Sequence, residues 1–398
     1  MSDIALISCV KTKAPVTTRT LELYRSPLFR KSLLHALRRR FNLYVLSAEH
    51  GILAPENIVT PYEKTLKEMS ADQTRVWAAK VGIELRRLVR AKDTIHLYAG
   101  KTYSRPLLPE LMDIGCRVNF PISGSLGQRL AHLKNENRED LLWSQLAEFK
   151  KITRRLTKGT NQGIRLKDLI SNKLELPRRG IYIFVDPTEP DQSHLGGRIT
   201  RIGTHAISAA AKSTLINRLR THLGPRSGIG SHRSSIFRLH TGNAFKISDP
   251  DRWTIESWAI GSTAPKRIRE KEAPLENAVS EYIGAHLVYW LDIDDSPSPI
   301  SDRAFLESNI IGLLSSAQIL QPTASASWLG TQSQEYRIAL SGLWNLDHLF
   351  VQPHDKFIQI YQRHVDATLK GRPLGALAPT SWRSEMKNKA PDKQLELL

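Results

Sequence analysis

Two short apolar segments, each carrying a glycine, and a helix directly after them constrain the fold of this chain most. Gly180-Ile181-Tyr182 opens an apolar strand, and Arg201-Ile202-Gly203 closes a second one about twenty residues later. The segment between them is rich in Pro, Asp and Gly, which is typical of a turn. Residues 205–223 are predicted to be helical, because a Gly-Pro pair follows and ends the helix. This helix carries Arg218 and His222 one turn apart on one face.

A single carboxylate lies inside a later apolar segment. Residues 303–314 are predicted to be helical, and Glu307 sits among Phe305, Leu306 and Ile310. These apolar neighbours indicate a half-buried carboxylate. A phenol, a guanidinium, an imidazole and one carboxylate together suit metal-assisted phosphodiester hydrolysis, which needs charge relief at the phosphoryl oxygens and an oriented water.

These segments, in this order, resemble the GIY-YIG nuclease family. Gly180-Ile181-Tyr182 matches the first motif outright, and Arg201-Ile202-Gly203 matches the second with Arg in place of its tyrosine. Residues 215–222 match the helix with the family's arginine, and Glu307 matches its metal-binding glutamate. Residues 231–240 and 341–345 are similar to a restriction-type or defence-associated subgroup.

The resemblance implies a DNA endonuclease that uses Mg²⁺ or Mn²⁺ held by Glu307. Tyr182 would be the general base, Arg218 would clamp the scissile phosphate, and His222 would orient the water or share the base role. Arg201 would hold Tyr182 in its active state. The expected catalytic set is Tyr182, Arg201, Arg218, His222, Glu307 and Asn345.

Ordinary structural roles compete with these assignments. Tyr182 could be a sheet aromatic, and His222 could be a helix C-terminal residue favoured by the macrodipole. Arg220 competes with Arg218 for the clamp, since one of the two faces solvent. Asn345 could be only a turn residue.

A Gly/Ser loop with basic groups is a second expected DNA contact. Residues 228–235 carry backbone amides that can approach a phosphate closely. The predicted nucleic-acid contacts here are His232, Arg233 and Arg238. An ordinary loop is the alternative.

Residues 1–135 alternate between strand and helix patterns. Residues 4–9, 43–48 and 94–99 are apolar strands, with helices predicted at 27–40 and 71–90. This order predicts an α/β domain of three layers, a parallel sheet covered by helices. Each strand ends in a polar loop, and ligands bind at the carboxyl ends of parallel strands.

This domain resembles an uncharacterised prokaryotic α/β domain that is distantly similar to uracil-DNA glycosylase modules. The resemblance implies a nucleotide or modified-base sensor, with tyrosines stacking on a flipped base and cations on phosphates. An inert docking platform is the alternative. The predicted nucleic-acid contacts are Lys11, Lys13, Tyr24, Glu49, His50, Tyr62, Tyr103 and Arg105.

The remaining chain divides by composition. Residues 136–177 read as a basic connector, and residues 178–365 as an α+β nuclease domain that includes a predicted strand at 253–261. Residues 366–398 read as a flexible tail, because Pro and Lys are frequent there.

Charge and cysteine usage narrow the partner and the compartment. The net charge is +18, from 57 Lys and Arg against 39 Asp and Glu, which indicates a polyanionic partner. Two cysteines are too few for a disulfide framework, and no apolar run is long enough for a membrane span. We expect a cytoplasmic protein that binds DNA, including base-modified DNA.

Three functions are compatible with these features. The leading hypothesis is a metal-dependent DNA endonuclease in restriction or antiphage defence against modified DNA. The second is a glycosylase that acts on modified bases through the N-terminal domain, while the C-terminal domain binds or nicks DNA. The third is a non-catalytic nucleic-acid-binding protein, because Arg201 replaces a family tyrosine.

Overall fold

The computed structural model describes residues 2–208, 211–225 and 230–388. The chain forms two compact units. The first comprises Met1–Leu142 with Ile319–Gln321, and the second comprises Trp143–Gln318 with Pro322–Leu398. Among the described residues, no helix combines the length and apolarity that a membrane crossing requires.

The first unit is built on a five-stranded sheet of order β4-β3-β1-β6-β7. Strands β1, β3, β6 and β7 are parallel, and β4 pairs antiparallel with β3. A separate ribbon joins β2 and β5. The strands are β1 Asp3–Ser8, β2 Thr18–Arg19, β3 Asn42–Ser47, β4 Gly51–Leu53, β5 Ile58–Val59, β6 Thr94–Tyr98 and β7 Arg117–Asn119.

Side-chain caps fix where the long helices of this unit begin. Ser26 accepts a hydrogen bond from the Phe29 amide, and Ser70 forms a capping box with Gln73. The predicted strands and the two predicted helices are confirmed to within two residues at each end. The helices are α1 Thr20–Leu23, α2 Pro27–Arg38, α3 Ala71–Leu88, α4 Lys101–Ile114 and α5 Leu126–Glu136, followed by α6 Glu139–Arg154 at the boundary.

The second unit contains an antiparallel sheet of order β10-β9-β11-β8. Its strands are β8 Ile164–Arg165, β9 Gly180–Asp186, β10 Arg198–Gly203 and β11 Leu287–Asp292. All seven residues of β9 are buried, because β9 is a central strand of this sheet. The sequence predicted β9 and β10 but not β11, which pairs with β9 along its full length.

Two element predictions in the second unit are wrong. Helix α8 begins at Leu215, not at residue 205, because Thr214 caps it by accepting from the Asn217 amide. Residues 253–261 form turns, since the indole of Trp258 packs into the core and donates to the carbonyl of Leu239. The helices are α7 Leu166–Ser171, α8 Leu215–Leu223, α9 Ile236–Ser248, α10 Lys266–Ala285, α11 Asp302–Leu320, α12 Tyr336–Ser341, α13 Phe357–Leu369 and α14 Thr380–Asn388.

The limits of the second unit differ from the predicted connector and tail. Within residues 136–177, β8 pairs with β11, and α7 contributes Leu166 and Leu169 to the core. In the predicted tail, Trp382 of α14 packs its ring 5.1 Å from that of Phe305. Residues 389–398 of that tail lie outside the described residues.

Candidate active site

Strands β9 and β10 bring Tyr182 and Arg201 to one face of the sheet. Gly203 pairs with Tyr182, and Arg201 pairs with Phe184. Because paired residues share a face and side chains alternate along a strand, Tyr182 and Arg201 lie diagonally side by side. A Cβ atom on Gly203 would lie only 2.1 Å from the Tyr182 hydroxyl oxygen. The second-motif glycine therefore makes room for the first-motif phenol.

Helix α8 presents His222 to the Tyr182 hydroxyl. The distance from Tyr182 Oη to His222 Nε2 is 2.8 Å, and His222 Nδ1 lies 2.9 Å from Ser235 Oγ. Tyr182 and His222 are both fully enclosed. Burial lowers the pKa of His222 well below its usual value, and the charges of Arg201, Arg218 and Arg238 lower it further. The imidazole is therefore neutral.

Arg201 is a buried cation between the phenol and the carboxylate. Its Nη1 donates to the carbonyl of Trp344, and its guanidinium carbon lies 5.0 Å from the Phe237 ring centroid. Burial lowers the pKa of Arg201, whereas Tyr182 and Glu307 act to raise it. The guanidinium thus supplies positive charge to both acidic groups.

Arg218 and Arg220 lie in different environments. Arg218 is half-buried, its charge acts on Arg201 and His222, and its Nε has no hydrogen-bond partner within the described residues. Arg220 is exposed. Because donors left free near other site groups are those available to a ligand, Arg218 has the better geometry for a phosphate.

Helix α11 places Glu307 at the end of β10. Its Oε1 accepts a hydrogen bond of 3.1 Å from the Thr204 amide, and the residue is half-buried. Burial raises the pKa of Glu307, while His348 and Arg201 act to lower it.

A single carboxylate of this kind fits Mg²⁺, which keeps most of its waters and takes one or two carboxylates. No group of three or more His, Cys, Asp or Glu side chains arranged to hold a metal ion occurs in the part of the chain that the structure describes.

Asn345, which is predicted to be catalytic, hydrogen-bonds to the backbone of β10. Its Oδ1 accepts from the Ile202 amide at 3.1 Å, and its Nδ2 donates to the Ile202 carbonyl at 2.8 Å. Both ends of this buried amide are thus used by the β10 backbone. Asn345 therefore positions the strand that carries Arg201.

The predicted DNA contacts in the Gly/Ser loop are internal. Arg238 and His232 are buried, and both bind Glu276 of α10, at 3.1 Å from Arg238 Nε and 2.9 Å from His232 Nδ1. Arg233 binds Glu272, one turn earlier on the same helix. Buried carboxylates need partners, so Arg238 of α9, with His232 and Arg233 just before α9, binds α10 instead of facing DNA. Gly228 and Ile229 of the predicted loop lie outside the described residues.

In the first unit, the predicted stacking tyrosines are mostly enclosed. The Tyr24 and Tyr62 hydroxyls lie 2.8 Å apart, and the Tyr103 hydroxyl lies 3.1 Å from Cys9 Sγ. Tyr24 and Tyr103 are both buried. Only Tyr62 is half-buried, so the expected stack of Tyr24 or Tyr103 on a base is incompatible with this packing.

The charged residues of the same region lie nearer the surface. Lys13 Nζ lies 4.4 Å from the Tyr62 ring centroid, and the His50 ring meets the same tyrosine edge-on. Glu49 pairs with Lys64 at 3.2 Å. Lys11 and Arg105 are exposed, so their expected phosphate contacts are sterically open.

His205, which lies two residues after Gly203, was not among the predicted site residues. Its Nδ1 donates to the Ser213 carbonyl at 3.0 Å, and its Nε2 has no partner among the described residues. Burial lowers the pKa of His205 to about 4, and Arg303, Arg179 and Arg218 add to this effect. Its place two residues after Gly203 was the available signal.

Comparisons with known proteins agree with this arrangement. Residues 142–371 match the GIY-YIG domain family, and residues 4–135 match a family of unknown function (DUF6884). No curated protein and no solved structure matches the chain significantly. Because the first match covers more than half of the sequence, the chain belongs to the GIY-YIG domain family. This membership indicates a nuclease that acts on DNA.

The match of residues 4–135 carries no activity with it. The resemblance to uracil-DNA glycosylase modules and to a restriction-type subgroup therefore stays a prediction.

Proposed function

We propose that this protein is a metal-dependent DNA endonuclease that hydrolyses phosphodiester bonds. The observation that carries the proposal is the convergence of Tyr182, Arg201, Arg218, His222 and Glu307, which lie on four separate elements. A hydrogen bond joins Tyr182 to His222. The pKa of Arg201 responds to Tyr182, Arg218 and Glu307, and the pKa of His222 responds to Arg201 and Arg218. A phenol, two guanidiniums, an imidazole and a carboxylate cover the chemical needs of phosphodiester hydrolysis.

Arg218 binds the scissile phosphate in this proposal, since its Nε is free among the described residues. Glu307 holds the divalent ion, which when bound supplies Lewis-acid stabilisation of the phosphoryl oxygens. Tyr182 is the general base, and Arg201, whose own pKa the phenol acts to raise, supplies a positive charge beside it. Because Tyr182 is fully enclosed, DNA binding has to admit a water molecule to its hydroxyl.

The biological setting that we propose is restriction or antiphage defence in the cytoplasm. The chain joins a GIY-YIG unit to a separate α/β unit with exposed Lys11 and Arg105, which supports a recognition role for the first unit. Cleavage assays on plasmids with different base modifications test this role. Equal rates on every plasmid would argue against a preference for modified DNA.

The proposal is tested by plasmid cleavage with Mg²⁺, with and without EDTA. Glu307→Gln removes the metal ligand while keeping shape, and Tyr182→Phe removes only the hydroxyl, so the latter should lower the rate by ~10²–10⁴-fold. Both variants should still bind DNA. Glu281→Gln, an exposed carboxylate on α10, is the matched control and should cleave normally. Undiminished cleavage by Glu307→Gln, or wild-type cleavage in EDTA, would refute the proposal.

A further inference from the structure

Ser235 hydrogen-bonds to His222, whose other ring nitrogen contacts the Tyr182 hydroxyl. Ser235 is the N-cap of α9, and its Oγ accepts from the Arg238 amide at 3.4 Å. The same oxygen lies 2.9 Å from His222 Nδ1. These are the partners that Ser235 Oγ has in the described part of the chain, and an amide N–H cannot accept a proton. The Ser235 hydroxyl proton is therefore directed to His222 Nδ1.

A neutral imidazole carries one N–H and one lone pair. If Nδ1 accepts from Ser235, then Nε2 carries the hydrogen and donates across the 2.8 Å bond to Tyr182 Oη. Tyr182 then accepts from His222, and its own proton is kept out of this bond. In the opposite tautomer Nε2 would accept instead, and the Tyr182 hydroxyl would donate its proton to His222.

We infer that Ser235 is a positioning residue that sets the tautomer of His222, so that Nε2–H donates to the Tyr182 hydroxyl oxygen. The inference rests on the proposed function for its effect on rate, because Tyr182 is the base there. The geometry behind it is enclosed, since Tyr182, His222 and Ser235 are all buried and shielded from exchange with bulk water.

Three substitutions separate this role from helix capping. Ser235→Thr keeps both the cap and the hydroxyl proton. Ser235→Asp keeps the cap but offers only acceptors, so Nδ1–H should donate to it and the tautomer should reverse. Ser235→Ala removes both functions.

The decisive measurement is ¹⁵N NMR of the full chain labelled at histidine, with the His222 signals assigned by their loss in His222→Gln. We expect the Nε2–H tautomer in the wild type and in Ser235→Thr, and the Nδ1–H tautomer in Ser235→Asp. Plasmid cleavage with Mg²⁺, followed across pH, should stay near wild type in Ser235→Thr. It should fall by ~10-fold or more in Ser235→Asp, and the NMR spectrum of that variant also reports whether it is folded.

An Nδ1–H tautomer in the wild type would overturn the inference, whether or not the chain cleaves DNA. A wild-type cleavage rate in Ser235→Asp with its tautomer reversed would also overturn it. If the wild type shows Nε2–H and Ser235→Asp shows Nδ1–H but no variant cleaves any DNA, the proposed function fails while the assignment of the tautomer to Ser235 is supported.

Discussion

Arg201 stands where the GIY-YIG motif has a tyrosine, and its surroundings show what this replacement changes. A guanidinium is always charged, whereas a phenol is neutral at ordinary pH. Arg201 lies beside Tyr182, which acts to raise the pKa of Arg201. The substitution therefore suits a site in which one phenol acts as base and a fixed cation supports it.

The two arginines of α8 give a matched pair of substitutions. Arg218→Lys keeps the charge but loses the planar fork, so we expect a loss of ~10²–10³ in cleavage rate, similar to the loss of one transition-state donor. Arg220→Lys should cleave at the wild-type rate because Arg220 is exposed. Steady-state plasmid cleavage measures both. Equal losses would show that the site does not distinguish the two positions.

A substitution at Gly203 tests how tightly the Tyr182 hydroxyl packs against strand β10. Ala at this position would place a Cβ atom 2.1 Å from Tyr182 Oη, so the phenol or strand β10 must shift. We expect Gly203→Ala to lower the free energy of unfolding by about 1–3 kcal/mol, as other overpacked sites do, and to impair cleavage. Denaturant unfolding measures the first effect. Gly127→Ala is the control, because no atom lies within 4 Å of its Cβ position; a loss as large there would contradict the argument.

At the scale of elements, α10 holds α9 through buried ion pairs. Arg238 and His232 lower the pKa of Glu276, although burial acts to raise it. Since Arg238 also donates to the His222 carbonyl at 3.0 Å, the same guanidinium ties α8 to this pair of helices. The position of His222 beside Tyr182 therefore depends on a charge network outside the proposed catalytic set.

Glu276→Gln tests this network. Removing one partner of a buried pair leaves Arg238 uncompensated, so we expect a loss of about 3–5 kcal/mol in the free energy of unfolding. Because the folded-state pKa of Glu276 is below its ordinary value of 4.5, its stabilisation is present above that pH and is lost as pH falls through the lower folded-state pKa. The free energy of unfolding should therefore decrease less steeply with falling pH in the variant.

Denaturant unfolding between neutral and acidic pH measures both quantities. Glu281→Gln, on the exposed face of the same helix, is the control and should unfold like the wild type. If the two variants have the same stability and the same pH dependence, the network does not hold these helices together.

At the scale of the whole molecule, the net charge of +18 predicts that DNA binding depends on salt. Substitutions in the first unit then test whether that unit contacts DNA phosphates. The logarithm of the DNA association constant should fall linearly with the logarithm of the salt concentration. The reason is that lysines and arginines that bind phosphates release counterions from the DNA. If the first unit contacts phosphates, Lys11→Ala and Arg105→Ala should each reduce the slope by about 1. Lys92→Ala is the control, since this exposed lysine precedes β6 and so lies at the amino end of that strand, whereas Lys11 follows β1 and Arg105 follows β6. Unchanged slopes in the first two variants would exclude these phosphate contacts.

Local patterns were sufficient for much of the fold. Strands β1, β3 and β6 of the first unit and the hairpin strands β9 and β10 follow from apolar runs between turn residues, and the structure confirms them. The short strands β2, β4, β5 and β7 were not predicted. Helix α8 was predicted too long at its beginning, because Thr214 caps it later than the pattern indicated. Strand β11 was missed, since it follows α10 without a turn signal.

The sequence by itself determined which chemical groups this protein carries and the order of the elements that carry them. Residues one helical turn apart are neighbours by geometry, so Arg218 and His222 could be paired from their spacing. Tyr182 and Glu307 were selected from the family resemblance. The tertiary structure alone decided which polar groups face inward. Asn345 meets Ile202 across 143 positions, and Arg238 meets Glu276 across 38, distances over which no local period operates. A buried polar group needs a hydrogen-bonding partner. For this reason, side chains that were predicted to contact DNA form internal ion pairs instead.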